Sequence, residues 1–362
     1  MRRDVADFRD MMEKSPLLDI PTIQMTTGSR REGFQFMGSD TDVMIWSEDV
    51  KVIWDMKQAF NYDKGKHTLI LSYSSESPPG YTLLVLMECV YRACISMTTI
   101  PFISSSTLRR KLFSDILPDF TEHGPCSRGY MNRMEYDVAQ CFACDIWPPS
   151  ASQWIARSHD WPGSQLVNEI VKGGCHFVPI GHKQGNFEFD EWRISFSLAE
   201  QKLVYSMNHC QFLTYGLLKL FLKEVINDGL STEDKLLCSY HMKTAVLWVL
   251  QQNTIRDWRP QNLLEGFRVC FKFILKCVYE GVCPNFFIPE NNMFLSNIHG
   301  KAQNDLFTRL YALYERGLAS LLDSSFIRPY LFQELNNHGQ NTCTDEPILI
   351  SEIVTTFQEL GI

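Results

Sequence analysis

Beyond about residue 200 the apolar positions fall at helical spacing. Phe212, Leu213, Leu217, Leu220, Phe221 and Ile226 are spaced for one helix face. Ser239 to Gln252 reads as a second helix. Pro260 opens a third, which carries Phe267, Cys270, Phe271, Ile274 and Val278 and stops at Gly281, and Asn304 to Leu322 is a fourth. Proline in the first turn and glycine just past the last are the usual bounds of a helix. The preceding half is mixed. Residues 4–14 read as a short helix, and a Gly/Ser/Arg turn at 28–33 leads into a β-rich stretch. Val43-Met44-Ile45-Trp46 and Lys51-Val52-Ile53-Trp54 read as strands on either side of a Ser-Glu-Asp turn. Thr68 to Tyr73 is another, ended by the Ser/Pro/Gly loop at 74–80. Residues 105–117 read as a helix capped by the Ser/Thr residues before Leu108. The pattern predicts an α+β chain, with a mixed lobe over residues 1–200 and a helical lobe over 201–362. A cleft between two lobes is the natural ligand site.

Composition narrows the class. In 362 residues, 34 Lys+Arg stand against 42 Asp+Glu, a net charge of −8, with 45% apolar and 21% charged residues. That composition is ordinary for a folded cytoplasmic protein and too apolar for a disordered one. The acidity argues against a surface coated all over with basic charge, but not against one basic patch. The longest apolar stretch, Tyr81 to Met97, is interrupted by Glu88 and Arg92, which argues against a membrane span. The first residues lack an apolar signal-peptide core. Twelve cysteines are scattered through apolar segments and read as mostly reduced core thiols. Cys141 and Cys144 form a lone Cys-x-x-Cys whose members point to opposite faces of a strand, which favours core packing over chelation.

Chemistry concentrates in Gly28 to Met44, GSRREGFQFMGSDTDVM. Side chains at i and i+2 of a strand share a face, so Asp40 and Asp42 project together. Two neighbouring carboxylates repel, and hard oxygen ligands of this kind suit Mg²⁺ or Mn²⁺. The Gly28-Ser29 turn offers backbone N–H groups and a hydroxyl to phosphate oxygens. Gly38-Ser39, a second such pair, abuts the acids and reads as the turn into the strand. Gly-Ser, ten residues, then acid-x-acid resembles the nucleotidyltransferase signature of the polymerase-β type, with Thr41 standing where an apolar residue is usual. Such a site needs a third carboxylate from a neighbouring strand. Asp137 and Asp145 share a face if residues 135–145 form one unbroken strand. Asp137 is preferred as the more central, Asp145 is the alternative, and Glu135 is the weakest candidate.

Further landmarks follow in order. Trp192-Arg193-Ile194-Ser195-Phe196-Ser197, then Ser239-Tyr240-His241-Met242-Lys243-Thr244-Ala245, then Phe287-Ile288-Pro289-Glu290-Asn291-Asn292-Met293-Phe294 resemble those of Mab-21 domain proteins. That family includes cyclic GMP-AMP synthase and the cGAS-like receptors, and the likeness spans roughly residues 28–325. The resemblance implies a bilobal polymerase-β-like nucleotidyltransferase core, a mixed sheet with flanking helices, followed by a helical lobe. It implies that Gly28 and Ser29 hold the donor triphosphate and that Asp40, Asp42 and Asp137 hold two Mg²⁺ or Mn²⁺ ions. By the same likeness Tyr240 stacks on a nucleobase beside Ser239, Arg193, Ser195 and Ser197 lie near the second base, and Lys219 and Lys243 lie near the phosphates. The substrates implied are ATP, GTP or a pyrimidine NTP. Between the Trp192 motif and the next helix stand only His209 and Cys210, so no zinc is expected, since a structural zinc site takes four ligands. The zinc-free branch of the family mostly senses double-stranded RNA. The candidate RNA patch is Arg109, Arg110 and Lys111, with Lys51, Lys57, Lys64 and Lys66 nearby in sequence. The resulting expectation is a cytoplasmic, RNA-activated synthase of a cyclic dinucleotide, in a homodimer on ligand. The alternative is a catalytically silent Mab-21 scaffold.

Overall fold

The computed structural model describes residues 22–34, 40–96, 101–115, 119–131, 134–157 and 160–328. The helix read at 4–14 and the Gly38-Ser39 turn lie outside them. Two compact units divide the chain: Met1–Ser158 with Gly163–Tyr205, and His159–Pro162 with Ser206–Ile362.

In the first unit β1 (Ile23–Thr27) leads directly into the one-turn helix α1 (Gly28–Glu32), and then come β2 (Thr41–Trp46) and β3 (Val50–Ile53). Next are β4 (Thr68–Tyr73), β5 (Tyr81–Leu86), α2 (Met87–Ser96) and α3 (Ser105–Asp115). The chain continues through β6 (Thr121–His123), β7 (Cys126–Met131), β8 (Met134–Gln140) and β9 (Phe142–Cys144). It closes with α4 (Ser152–Ala156), α5 (Ser164–Val171), β10 (Cys175–Val178), β11 (Trp192–Ser195) and α6 (Ser197–Ser206).

The strands form two sheets. One has the order β1-β2-β8-β7-β6; the other is a closed barrel, β10-β11-β5-β4-β3-β9. β2 and β3, which the sequence sets on either side of one turn, therefore belong to different sheets. The 135–145 segment is likewise not one strand. It breaks at Cys141, with β8 in the open sheet and β9 in the barrel, so Asp137 and Asp145 do not share a strand face.

Strand periodicity explains the open sheet. Val43, Ile45 and Val138 pack with Phe120 on one face. Met44, Ala139 and Cys141 pack on the other with Val178 of β10, so that face is covered by the barrel. Asp42 and Asp137 stand two residues before Met44 and Ala139. They therefore continue the barrel-side face toward the strand ends. Both Cys141 and Cys144 are buried free thiols, in accord with core packing.

The second unit is helical. α7 (His209–Phe221) begins at a capping box in which the Asn208 side chain accepts the Gln211 N–H and the Gln211 side chain accepts that of Asn208. Every residue from Cys210 to Phe221 is buried, so α7 is a central helix rather than the one-faced helix of the spacing argument. A π turn, Leu222–Ile226, follows it. α8 (Ser239–Gln251) comes next, and Pro260 opens a short 3₁₀ turn that feeds α9 (Leu263–Glu280). Phe267 and Phe271 of α9 meet Phe221 edge to face. Gly281 ends α9 in the left-handed conformation, φ 68°. α10 (Gly300–Glu315) is the last α-helix described. No described helix is long and apolar enough to cross a membrane.

Candidate active site

Pairing across β2 brings the predicted residues together. β1 is antiparallel to β2, with Thr27 opposite Asp42. β2 is parallel to β8, with Asp42 opposite Asp137. Gly28 thus follows a residue that pairs with Asp42. Its φ is +65°, and a Cβ placed there would sit 1.8 Å from Asp42 Oδ2. Only glycine combines that backbone conformation with that approach. Ser29 forms the next step of α1, and its carbonyl accepts the Phe34 N–H at 2.9 Å.

Thr41, the departure from the apolar pattern, has a structural reason. It is buried, and its hydroxyl accepts a 2.8 Å bond from the Arg30 guanidinium. This clip joins the Gly28-Ser29 turn to the strand that carries both acids.

The two candidates for the third acid lie in different places. Asp145 follows β9 and pairs with Lys51 at 3.0 Å, away from Asp42 in the pairing scheme. Asp137 is buried and meets two groups that sequence reading missed, Arg128 and His123. Arg128 Nε donates to its Oδ1 and Arg128 Nη2 to its Oδ2, each at 2.7 Å. The same Nη2 reaches Asp40 Oδ2 at 3.0 Å. His123 Nδ1 lies 3.1 Å from Asp137 Oδ2, and Glu135 lies 3.7 Å from Arg128 Nε. The signal for Arg128 was present. Two short runs, Cys126 to Met131 and Met134 to Gln140, stand two residues apart in the sequence, and their antiparallel pairing sets Arg128 opposite Asp137.

Electrostatics mark this as a place of concentrated negative charge. Burial raises the Asp40 carboxyl above its ordinary range; Asp137 and Glu135 raise it further, and Arg128 opposes them. Burial also pushes the Cys126 thiol up to about 12, with Asp137 and Asp42 adding to the shift and Arg193 and Arg128 opposing it. Arg193 of β11, opposite Tyr81 in register, therefore lies within electrostatic reach of the same thiol as the acids. Ser195 and Ser197 follow it, with their hydroxyls 2.9 Å apart.

Three oxygen-donor carboxylates are the right chemistry for a hard divalent cation. Yet among the described residues no group of three His, Cys, Asp or Glu is arranged as a ready metal cage. Both Asp137 oxygens are on Arg128, which also reaches Asp40.

Sequence models of two domains match the chain. The Mab-21 protein nucleotidyltransferase domain matches residues 89–206, and the Mab-21 protein HhH/H2TH-like domain matches 210–312. The chain belongs to the Mab-21 family. The Mab-21 nucleotidyltransferase match includes Arg128, Asp137, Arg193, Ser195 and Ser197, while Gly28, Ser29, Asp40 and Asp42 precede it. The first of these domains is of the nucleotidyltransferase type, for which nucleoside triphosphates are the substrate class. Lys219, Ser239, Tyr240 and Lys243 fall in the Mab-21 HhH/H2TH-like match.

Those four residues belong to the second unit. Lys219 and Lys243 are buried rather than on wet helix faces. Their ammonium groups lie over Tyr215 and Tyr240, 5.2 and 5.6 Å from the ring centroids. The Tyr240 hydroxyl accepts a bond from Asn285 at 3.1 Å, and Ser239 is exposed at the start of α8. Cys238, just before that helix, is exposed, with its Sγ 3.6 Å from His241 Nδ1. Desolvation by packed neighbours pushes its thiol up, but His241 and the backbone N–H groups of His241 and Tyr240 outweigh this and bring it down to about 6.

The predicted basic patch lies on α3 of the first unit. Arg109 is engaged there. It binds Glu122 and donates to the Pro179 carbonyl at 2.7 Å. Arg110 and Lys111 are exposed.

Proposed function

We propose that this chain is a nucleotidyltransferase that joins two NTPs into a cyclic dinucleotide in innate immune signalling, on sensing double-stranded RNA in the cytoplasm. One observation supports the reading above others: Asp42 and Asp137 are partners across parallel strands, with Asp40 two residues upstream and Gly28 against Asp42. Asp40, Asp42 and Asp137 would hold two Mg²⁺ or Mn²⁺ ions. When bound, these ions neutralise triphosphate charge and lower the pKa of the attacking hydroxyl.

The chain's own residues do the rest. Gly28 and Ser29 bring backbone and hydroxyl donors to the donor triphosphate, with the Arg30–Thr41 clip fixing the turn. Arg193, Ser195 and Ser197 contact the second base. Tyr240 with Ser239 stacks on and binds a base, and Lys219 and Lys243 meet phosphates. Because the donors are positioned before reaction, catalysis is mainly orientation and electrostatics. Arg110 and Lys111 form the RNA contact, while Arg109 braces α3 through Glu122. Double-stranded RNA is read through shape and phosphates, so its binding weakens steeply with salt.

The test is a ligand panel. Purified chain is incubated with all four radiolabelled NTPs, Mg²⁺ or Mn²⁺, and long double-stranded RNA, DNA or no nucleic acid. A phosphatase-resistant product that requires RNA supports the reading. Product with DNA alone reassigns the activator, and product without any ligand makes the enzyme constitutive. No product under any condition, with Asp40→Asn/Asp42→Asn cells behaving as wild type, overturns it. One observation favours the second reading, a catalytically silent scaffold: the bidentate Arg128–Asp137 pair already balances the buried acid.

A further inference from the structure

Arg128 lies on β7, an inner strand of the open sheet. It sits opposite Asp137 in the β7–β8 register. Its fork closes on both oxygens of that carboxylate, and one nitrogen, Nη2, bridges Asp137 to Asp40 at 2.7 and 3.0 Å. A positive charge between a carboxylate of β8 and one just ahead of β2 is what a divalent ion would supply there. Arginine cannot shed its charge by deprotonation. A metal ion drawn to these oxygens would stand beside the fixed positive charge of the guanidinium, and the two like charges repel.

We propose that Arg128 is a built-in stand-in cation, which a divalent ion must displace from Asp137 and Asp40 before it can bind. The inference rests on the reading of the three aspartates as cation ligands. The Arg128 side chain is 31% exposed, whereas that of Asp137 is 6% exposed. The arginine therefore has an outward path, and the acid does not. In its inward position Arg128 satisfies Asp137 and stabilises the sheet. Metal affinity is then reduced by the fraction of molecules in which the arginine has swung away. A ligand that holds Arg128 outward would raise metal affinity with no change in the carboxylates themselves.

The test uses the full chain and MnCl₂ as probe. Free Mn²⁺ is followed by electron paramagnetic resonance, and unfolding is followed by calorimetry. Arg128→Met is expected to bind Mn²⁺ about tenfold or more tightly than wild type. It should also unfold at a lower temperature without metal and recover on adding Mn²⁺, while the wild-type midpoint stays fixed at the same concentration. Arg128→Lys keeps a cation but loses the fork, so it should fall between the two. Should the methionine variant fail to fold, the lysine variant and wild type carry the comparison. In wild type, saturating Mg²⁺ should also move the Arg128 Nε–H resonance to that of a solvated guanidinium. Equal Mn²⁺ affinity in all folded forms overturns the displacement while leaving the aspartates as cation ligands. Absence of Mn²⁺ binding in every form overturns the displacement and the cation reading together.

Discussion

Asp42 and Asp137 face each other across the parallel pair of β2 and β8, although 94 positions separate them in the chain. Asp145, the other candidate, is committed to Lys51. On the proposed function, Asp42→Asn and Asp137→Asn are each expected to lower nucleotide transfer about 100-fold or more, since each would remove a charged ligand of the divalent ions. Asp145→Asn should change it little. Initial rates with a radiolabelled NTP separate these outcomes.

Gly28→Ala meets two obstacles, a positive φ and the Asp42 carboxylate. The left-handed conformation alone costs about 1–2 kcal/mol for a residue with a Cβ. The displaced Asp42 should also abolish transfer. Urea unfolding and an activity assay on the same preparation check both. Gly124→Ala also sits at positive φ but meets nothing within 4 Å, so it should lose stability alone.

His176 is buried against the edge of Trp46, and its Nδ1 finds no partner among the described residues. Burial holds its pKa down at about 4, below the ordinary histidine value of 6.5. The unfolded chain thus takes up a proton that the folded chain refuses. The neutral imidazole favours the fold above pH 6.5, and that advantage is lost as pH falls toward 4. Between pH 7 and pH 4.5 wild type should lose on the order of 2–3 kcal/mol that His176→Leu does not. Parallel urea titrations at the two pH values measure it.

Cys238 should be the quickest of the described cysteines to alkylate. Iodoacetamide labelling followed residue by residue by mass spectrometry should show its midpoint near pH 6. His241→Ala should move that midpoint toward the ordinary thiol value of about 8.5. Labelling of Cys270, fully buried in α9, should stay slow until the chain unfolds.

Much of this was legible in the chain. The helices of the second unit announced themselves through apolar spacing and the Pro260 and Gly281 boundaries. The acids announced themselves through Gly28-Ser29 and Asp40-Thr41-Asp42. Sheet membership was not legible, because strand pairing is set by contacts far apart in sequence. Nothing near Trp46 says that β2 and β3 part company, and nothing near Gln140 says that its strand ends. Arg128 escaped for a related reason. Its meaning depends on the residue opposite, which shows only once the runs 126–131 and 134–140 are paired with each other, and Ser-Arg-Gly-Tyr alone does not prompt that pairing. Arg109 shows the reverse: a basic run suggested a nucleic-acid face, and one of its members is bound to Glu122.

Cys141 separates β8 from β9 by a single residue, with its own N–H still bonded to the Ile45 carbonyl at 2.8 Å. One residue spans only about 3.8 Å and leaves no slack. The strand bearing Asp137 and the strand that closes the barrel are therefore mechanically in series, like two links without play. Tension applied to the barrel at β9 is delivered to the carboxylates rather than absorbed in a loop. An insertion of two or three glycines after Gln140 would put a slack coupling at that joint and uncouple one sheet from the other.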